Sequence, residues 1–166
     1  MSFKDFLLET GGNPLSRMHK HFEDGRHISI ISAQRDGLSK SENESRHKEL
    51  RKKLTDMGYG HREVVGHWDG NKEKSVMVFA KGTGEKAGHS LRTDVNSLGR
   101  HYDQDSVFHH DGKKGSLHGT NKTGWVGDGK DIGLGKIRYN RAEAPYQTET
   151  KPGSKRKSAR FSSDME

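Results

Sequence analysis

Between His27 and His109 the apolar residues switch back and forth between two spacings, and this limits the fold more than any other feature of the chain. "HISIISAQR" (His27 to Arg35) is β-branched and apolar on both faces, as expected of a strand inside a sheet. Leu50, Leu54 and Met57 then recur at i, i+4 and i+7, the spacing of one helix face. Val64 and Val65 mark a second strand, Arg62 to Trp68. "DGNK" (Asp69 to Lys72) reads as a hairpin turn, and "SVMVFA" (Ser75 to Ala80) as the third strand. Ala87, Leu91, Val95, Leu98 and Tyr102 keep a 3.6-residue period over four turns, predicting a second helix. "SVFH" (Ser106 to His109) is a fourth strand, and "SLHGT" extends it as a hairpin. The order β-α-β-β-α-β predicts an α+β fold, a single ferredoxin-like sandwich.

Its core must be small. Leu, Ile, Val and Phe together make 28 of 166 residues, below the roughly 20 % at which disorder becomes a serious alternative. The expected organisation is therefore a docking or targeting segment over residues 1–24, a core over 25–120 and a Gly-rich extension with an edge strand near Ile137 over 121–146. A basic tail over 147–166, dominated by Pro, Gly, Ser, Lys and Arg, is expected to be disordered. "MSFKDFLLE" carries Phe3, Phe6 and Leu7 at helical spacing, and Met18 to Glu23 could form a second short helix.

There is no cysteine, so neither a disulfide framework nor a thiolate metal site can form. The apolar runs fall far short of a membrane span, and the N-terminus lacks the long apolar region of a secretory signal. The net charge of +7 favours polyanionic partners. The tail residues Lys151, Lys155, Arg156, Lys157 and Arg160 would contact phosphates, with Trp125, Tyr139, Arg138 and Arg141 available to stack on a single strand. The same charges also suit a tail that only aids solubility. No cofactor is implied. His109 and His110 are adjacent, so on a strand they point to opposite faces and do not share a metal ion; no metal site is expected.

The first helix has an unusual start. Ser39 and Glu42 form a capping box, but the inward stripe opens with Asn43, Arg46 and His47 before it turns apolar at Leu50. Beside the end of the first strand, Ser32, Gln34, Arg35, Asn43 and Arg46 would make an anion-accepting corner, with free backbone N–H groups and the positive end of the helix dipole. A simpler reading is a helix that overhangs the sheet.

"SAQRDGLSKSENESRHKELRKKL" resembles the opening of a small uncharacterised domain family of bacteria and tailed phages. In that family the first strand ends in a Ser/Thr-Ala-x-Asn-type turn, a Ser-x-x-Glu-Asn helix start follows, and a strand of the "EKSVMVF" type comes later. Ser32, Ala33, Ser39, Glu42, Asn43 and Leu50 match, while Gln34-Arg35 stands where Asn-Pro is expected. The resemblance covers about residues 27–110 and implies a fold more than an activity. "MSFKDFLLE" is similar to N-terminal peptides of phage head proteins that are cut after Leu-x-Glu, which would place the cut after Glu9 and implies delivery into a virion.

"HIS" (His27, Ser29) and "HGT" (His118, Thr120) resemble the paired triplets of two-histidine phosphoesterases. In those enzymes the histidines act as acid and base and the hydroxyls hold phosphate. The expectation that follows is a phage-type accessory protein, in the host cytoplasm or the virion, that binds nucleic acid or a host protein rather than catalysing a reaction. The alternatives are a phosphoesterase acting on a nucleotide or cyclic oligonucleotide, and a binder of small anions or nucleotides. Oligomeric state is not legible.

Overall fold

The structure is a computed structural model, and it describes residues 5–10, 24–68, 71–142 and 158–163. Nine strands form one sheet: β1 (Asp5–Thr10), β2 (Ile28–Ile31), β3 (His61–Trp68), β4 (Asn71–Phe79), β5 (Ser106–His110), β6 (Gly115–Gly119), β7 (Asp131–Gly135), β8 (Ile137–Ala142) and β9 (Ser158–Ser163). The described helices are α1 (Lys40–Asp56) and α2 (Glu85–His101). The sheet order is β7-β6-β5-β2-β4-β3-β1-β9-β8. Its centre, β5-β2-β4-β3, is antiparallel throughout. With α1 and α2 as the crossovers, this is the ferredoxin-like arrangement expected from the apolar periods.

The main core lies between helices and sheet. Leu50 and Leu54 from α1, and Leu91, Val95 and Leu98 from α2, pack on Ile31, Val76, Val78 and Val107. A smaller cluster on the opposite face joins Phe108, Leu117, Val126 and Leu134, with Ile30 and Ile132 against it. Alternate residues of β2 thus serve two cores, which is why "ISII" is apolar on both faces.

The N-terminal piece is a correction. Residues expected to be helical form β1, which pairs with β3 through Leu7↔His67 and Glu9↔Val65, and with β9 through Glu9↔Ser158. A six-residue segment cannot sustain an isolated helix, whereas β3 offers a free edge whose backbone groups need partners. The proposed cut after Glu9 therefore falls inside a strand. The helix suggested for Met18 to Glu23 lies outside the described residues. Most of the expected tail, including Lys151, Lys155, Arg156 and Lys157, lies outside them too. Arg160 belongs to β9, a strand of which the amino-acid pattern carries no sign.

Candidate functional site

The polar start of α1 works as a clamp. Ser39 caps the helix: the Glu42 N–H donates to its hydroxyl at 3.1 Å, and the Ser39 N–H donates to the Glu42 carboxylate at 2.8 Å. One turn on, Asn43 grips the backbone of Arg35 twice. Its Oδ1 accepts from the Arg35 N–H at 2.9 Å and its Nδ2 donates to the Arg35 carbonyl at 3.0 Å. The Arg46 Nε donates to the Ala33 carbonyl at 2.6 Å, and another of its nitrogens donates to the Tyr102 carbonyl. Buried His47 bonds Glu63 of β3 at 2.8 Å. The stripe turns inward because the chain leaving β2 has carbonyls and N–H groups with no strand to receive them, and a buried backbone group without a partner is costly.

The corner itself is built across four elements. Gln34 extends the sheet beyond β2: its Oε1 accepts from the Lys74 N–H at 3.0 Å, and its carbonyl accepts from Gln104 Nε2 at 3.0 Å. Thr120 Oγ1 donates to the Gln104 carbonyl at 2.5 Å, and the Thr120 N–H donates to the Asp105 carbonyl at 3.1 Å. Ser32 donates to the Lys74 carbonyl at 2.9 Å. This ladder runs from β4 to the loop after β6 and forms the floor of one end of the sheet.

At that end stands Glu73. Burial holds its carboxyl above the ordinary range; Ser32 opposes this with a hydrogen bond, while Asp36 and Asp105 reinforce it by like-charge repulsion. Among the described residues it is the one carboxyl shifted upward. Two cations sit here as well: Arg35 faces Asp103 at 3.0 Å, and the Arg46 guanidinium lies on backbone carbonyls. Of the residues expected to accept an anion, Ser32, Gln34, Arg35, Asn43 and Arg46 are indeed brought together. Their donors, however, largely serve backbone groups, and three carboxylates give the corner a negative lining. A corner of this sign suits a cation. Glu73, Asp36, Asp105 and Gln104 were not legible as site residues.

The histidine triplets lie elsewhere, under α2. His27 is buried against Gly88, where an added Cβ would meet the ring at 2.2 Å, and its Nδ1 accepts from Arg92 at 3.1 Å. Ser29 and His109 Nδ1 lie 2.6 Å apart, and His109 Nε2 lies 2.7 Å from Asn96 Oδ1. With that amide oxygen facing the ring, Nε2 donates, Nδ1 accepts and the serine donates. The set has the composition of a nucleophilic triad, but Ser29 is 0 % exposed and no substrate could reach it. His118 bonds Asp131 at 2.7 Å, and its ring centre lies 6.4 Å from that of His109. Thr120 belongs to the floor just described, away from this cluster. Among the described residues no group of side chains is arranged to hold a metal, and no helix is long and apolar enough to cross a membrane.

Burial pushes His109 down to about 3 and His110 down to about 4. Both sit below the roughly 6.5 of an unfolded histidine, so their contribution to stability is complete above about pH 6.5. It is lost as pH falls toward 4 and then 3, because the unfolded chain takes up the protons first. Between about pH 6.5 and 4 stability from thermal melts should therefore drop by about 1.4 kcal/mol per pH unit for each of the two. A His109→Gln variant should flatten the profile, measured by circular dichroism.

Comparison with known families places the chain. The model of the S-adenosylmethionine lyase family matches residues 29–159, from β2 into β9. The chain belongs to the S-adenosylmethionine lyase family. The comparison with curated proteins found no match. Membership in a lyase family corrects the expected accessory role: the family is one of enzymes, not of proteins that act by binding alone, and its reaction is not phosphoester cleavage. The matched segment contains the region that resembled an uncharacterised bacterial and phage domain, so the lyase family takes that resemblance's place. The match supplies no phage or virion origin and no nucleic-acid partner. Glu73, Ser32, Gln34, Asp36, Gln104, Asp105 and Thr120 all fall inside it.

Proposed function

We propose that the chain cleaves S-adenosylmethionine at the acid-lined end of the sheet. The observation that carries this reading is a half-buried carboxyl, Glu73, raised by burial and within reach of the charges of Asp36 and Asp105, inside the segment matched to the lyase family. The substrate carries a sulfonium and an ammonium, and a negative, partly desolvated corner complements both.

The chemistry asks for such a place. A lyase breaks a bond between the sulfonium sulfur and one of its carbons without hydrolysis. The bonding electron pair goes to sulfur, which leaves as a neutral thioether. The carbon it departs from gains a new bond within its own fragment, either a double bond as a neighbouring C–H gives its proton to a base or a C–O bond as the substrate's own carboxylate closes a lactone. Positive charge disappears from the sulfur as the bond breaks. Excluding water removes the solvation that steadies the charged ground state. Glu73, Asp36 and Asp105 select and orient the cation. The Gln34–Gln104–Thr120 ladder fixes the floor, so these groups hold their geometry before the substrate arrives.

The test is direct. Full-length protein is incubated with S-adenosylmethionine, with heat-denatured protein as the control for spontaneous decay, and products are separated by chromatography. Enzyme-dependent appearance of an adenosine-containing neutral thioether is the expected result. Tight binding without turnover would make the chain a binder on a lyase scaffold. Absence of both would overturn the reading.

A further inference from the structure

Of the two guanidiniums at this corner, one is committed and one is not. The Arg46 Nε donates to the Ala33 carbonyl at 2.6 Å, Nη2 donates to the Tyr102 carbonyl, and the head lies 5.4 Å from the centre of the Tyr102 ring. Arg35 uses a single nitrogen. Its Nη1 donates to the Asp103 carbonyl and faces the Asp103 carboxylate at 3.0 Å, while Nε and Nη2 have no partner among the described residues. The side chain is 36 % exposed. A guanidinium is a planar fork, so the edge left beside one bound nitrogen is shaped for a carboxylate. Both ends of the Arg35–Asp103 contact are fixed: Asn43 holds the Arg35 N–H and carbonyl, and Asn121 Nδ2 donates to Asp103 Oδ1 at 2.6 Å. The edge belongs to the corner by its connections. Arg35 directly precedes Asp36, and the Gln34–Gln104 bond at 3.0 Å ties its loop to the one that carries Asp103 and Asp105.

We infer that the open Nε/Nη2 edge of Arg35 takes the carboxylate at the amino-acid end of the substrate. This rests on the lyase reading and assigns the one anionic group of the same ligand. S-adenosylmethionine carries a sulfonium, an ammonium and a carboxylate. Glu73, Asp36 and Asp105 attract the first two and repel the third. A corner lined by acids alone would favour cations that lack a carboxylate, and a guanidinium edge at the same corner reverses that preference. Two parallel N–H···O bonds between charged groups change affinity by about tenfold to a hundredfold. A lysine supplies the charge without the fork. Asn43 grips only backbone atoms of residue 35, so a substitution of this side chain leaves the clamp in place.

The experiment uses the full chain and two ligands that differ in the carboxylate alone. S-adenosylhomocysteine and its decarboxylated counterpart, both thioethers with no sulfonium to cleave, are titrated by calorimetry into the wild type, Arg35→Gln and Arg35→Lys. The wild type should bind the carboxylate-bearing ligand about tenfold more tightly or better. Arg35→Gln should lose that preference by weakening S-adenosylhomocysteine, with the decarboxylated ligand little changed. Arg35→Lys should recover only part of it. A wild type without the preference, or a folded Arg35→Gln that keeps it, would overturn the assignment, and turnover of S-adenosylmethionine by the same wild-type protein would leave the lyase reading intact. An Arg35-dependent preference in a chain that turns nothing over would do the reverse.

Discussion

Glu73→Gln should lower kcat/KM for S-adenosylmethionine by about 10²–10³-fold, the range seen when one preorganised electrostatic group is removed from an active site. The amide keeps the shape and can still meet the Ser32 hydroxyl, so folding should be preserved and the thermal midpoint should move little. It could even rise, because burial and two neighbouring acids already disfavour charge at this position. A rise in stability coupled to a collapse in activity is the signature of a group kept for chemistry rather than for folding. The pH profile offers a second reading. Since the folded carboxyl titrates above its ordinary range, the acid limb of kcat/KM should sit above the usual glutamate value and disappear in the variant. Equal activity of wild type and Glu73→Gln across the profile would remove Glu73 from the mechanism.

The largest effect on stability is expected from Gly119→Ala. Gly119 closes β6, and an added Cβ would lie 1.8 Å from the carbonyl oxygen of Gly127 and 2.5 Å from its carbon. The obstacle is backbone and cannot rotate away. Two hydrogen bonds hold the strands of chain together there: the Gly119 N–H to the Lys130 carbonyl at 2.8 Å, and the Gly129 N–H to the Gly119 carbonyl at 2.9 Å. Relief of the clash must break one or both and lift the loop that carries Trp125 and buries Val126. A loss of about 3 kcal/mol or more is expected, at the upper end of overpacking effects, read as a shift in the denaturant midpoint. Gly133→Ala in β7 is the control, because a Cβ there meets nothing within 4 Å. Equal midpoints for the two variants would show that the loop yields freely.

The central fold was legible because its signals are local. Each apolar period of residues 28–110 reports one element, and Ser39 with Glu42 marks the start of α1. The outer strands were not legible: β1 and β9 exist by pairing with each other and with the edge at β3, and pairing leaves little trace in six residues. The site was half legible. A helix that turns Asn43 and Arg46 inward is visible as an oddity. Its meaning depends on carbonyls of Ala33 and Tyr102, which only the folded chain brings near. Glu73 stands between Lys72 and Lys74, just past the expected turn, and reads as the polar start of a strand. Its character comes first from burial and then from Asp36 and Asp105, more than thirty residues away on either side. His27 and His118, by contrast, looked like chemistry because of their triplets. Burial against Gly88 makes His27 part of the interior, and His118 is a half-buried strand residue paired with Asp131.

The double grip of Asn43 on Arg35, with Arg46 on Ala33, has a consequence for kinetics. These bonds fasten residues 33–36, and with them Asp36, in the unliganded protein. The entropy of ordering that loop is therefore settled when the chain folds, and an arriving ligand meets a rim already in shape. Association should then be a single bimolecular step, linear in concentration, without the saturation that a slow closing motion would impose.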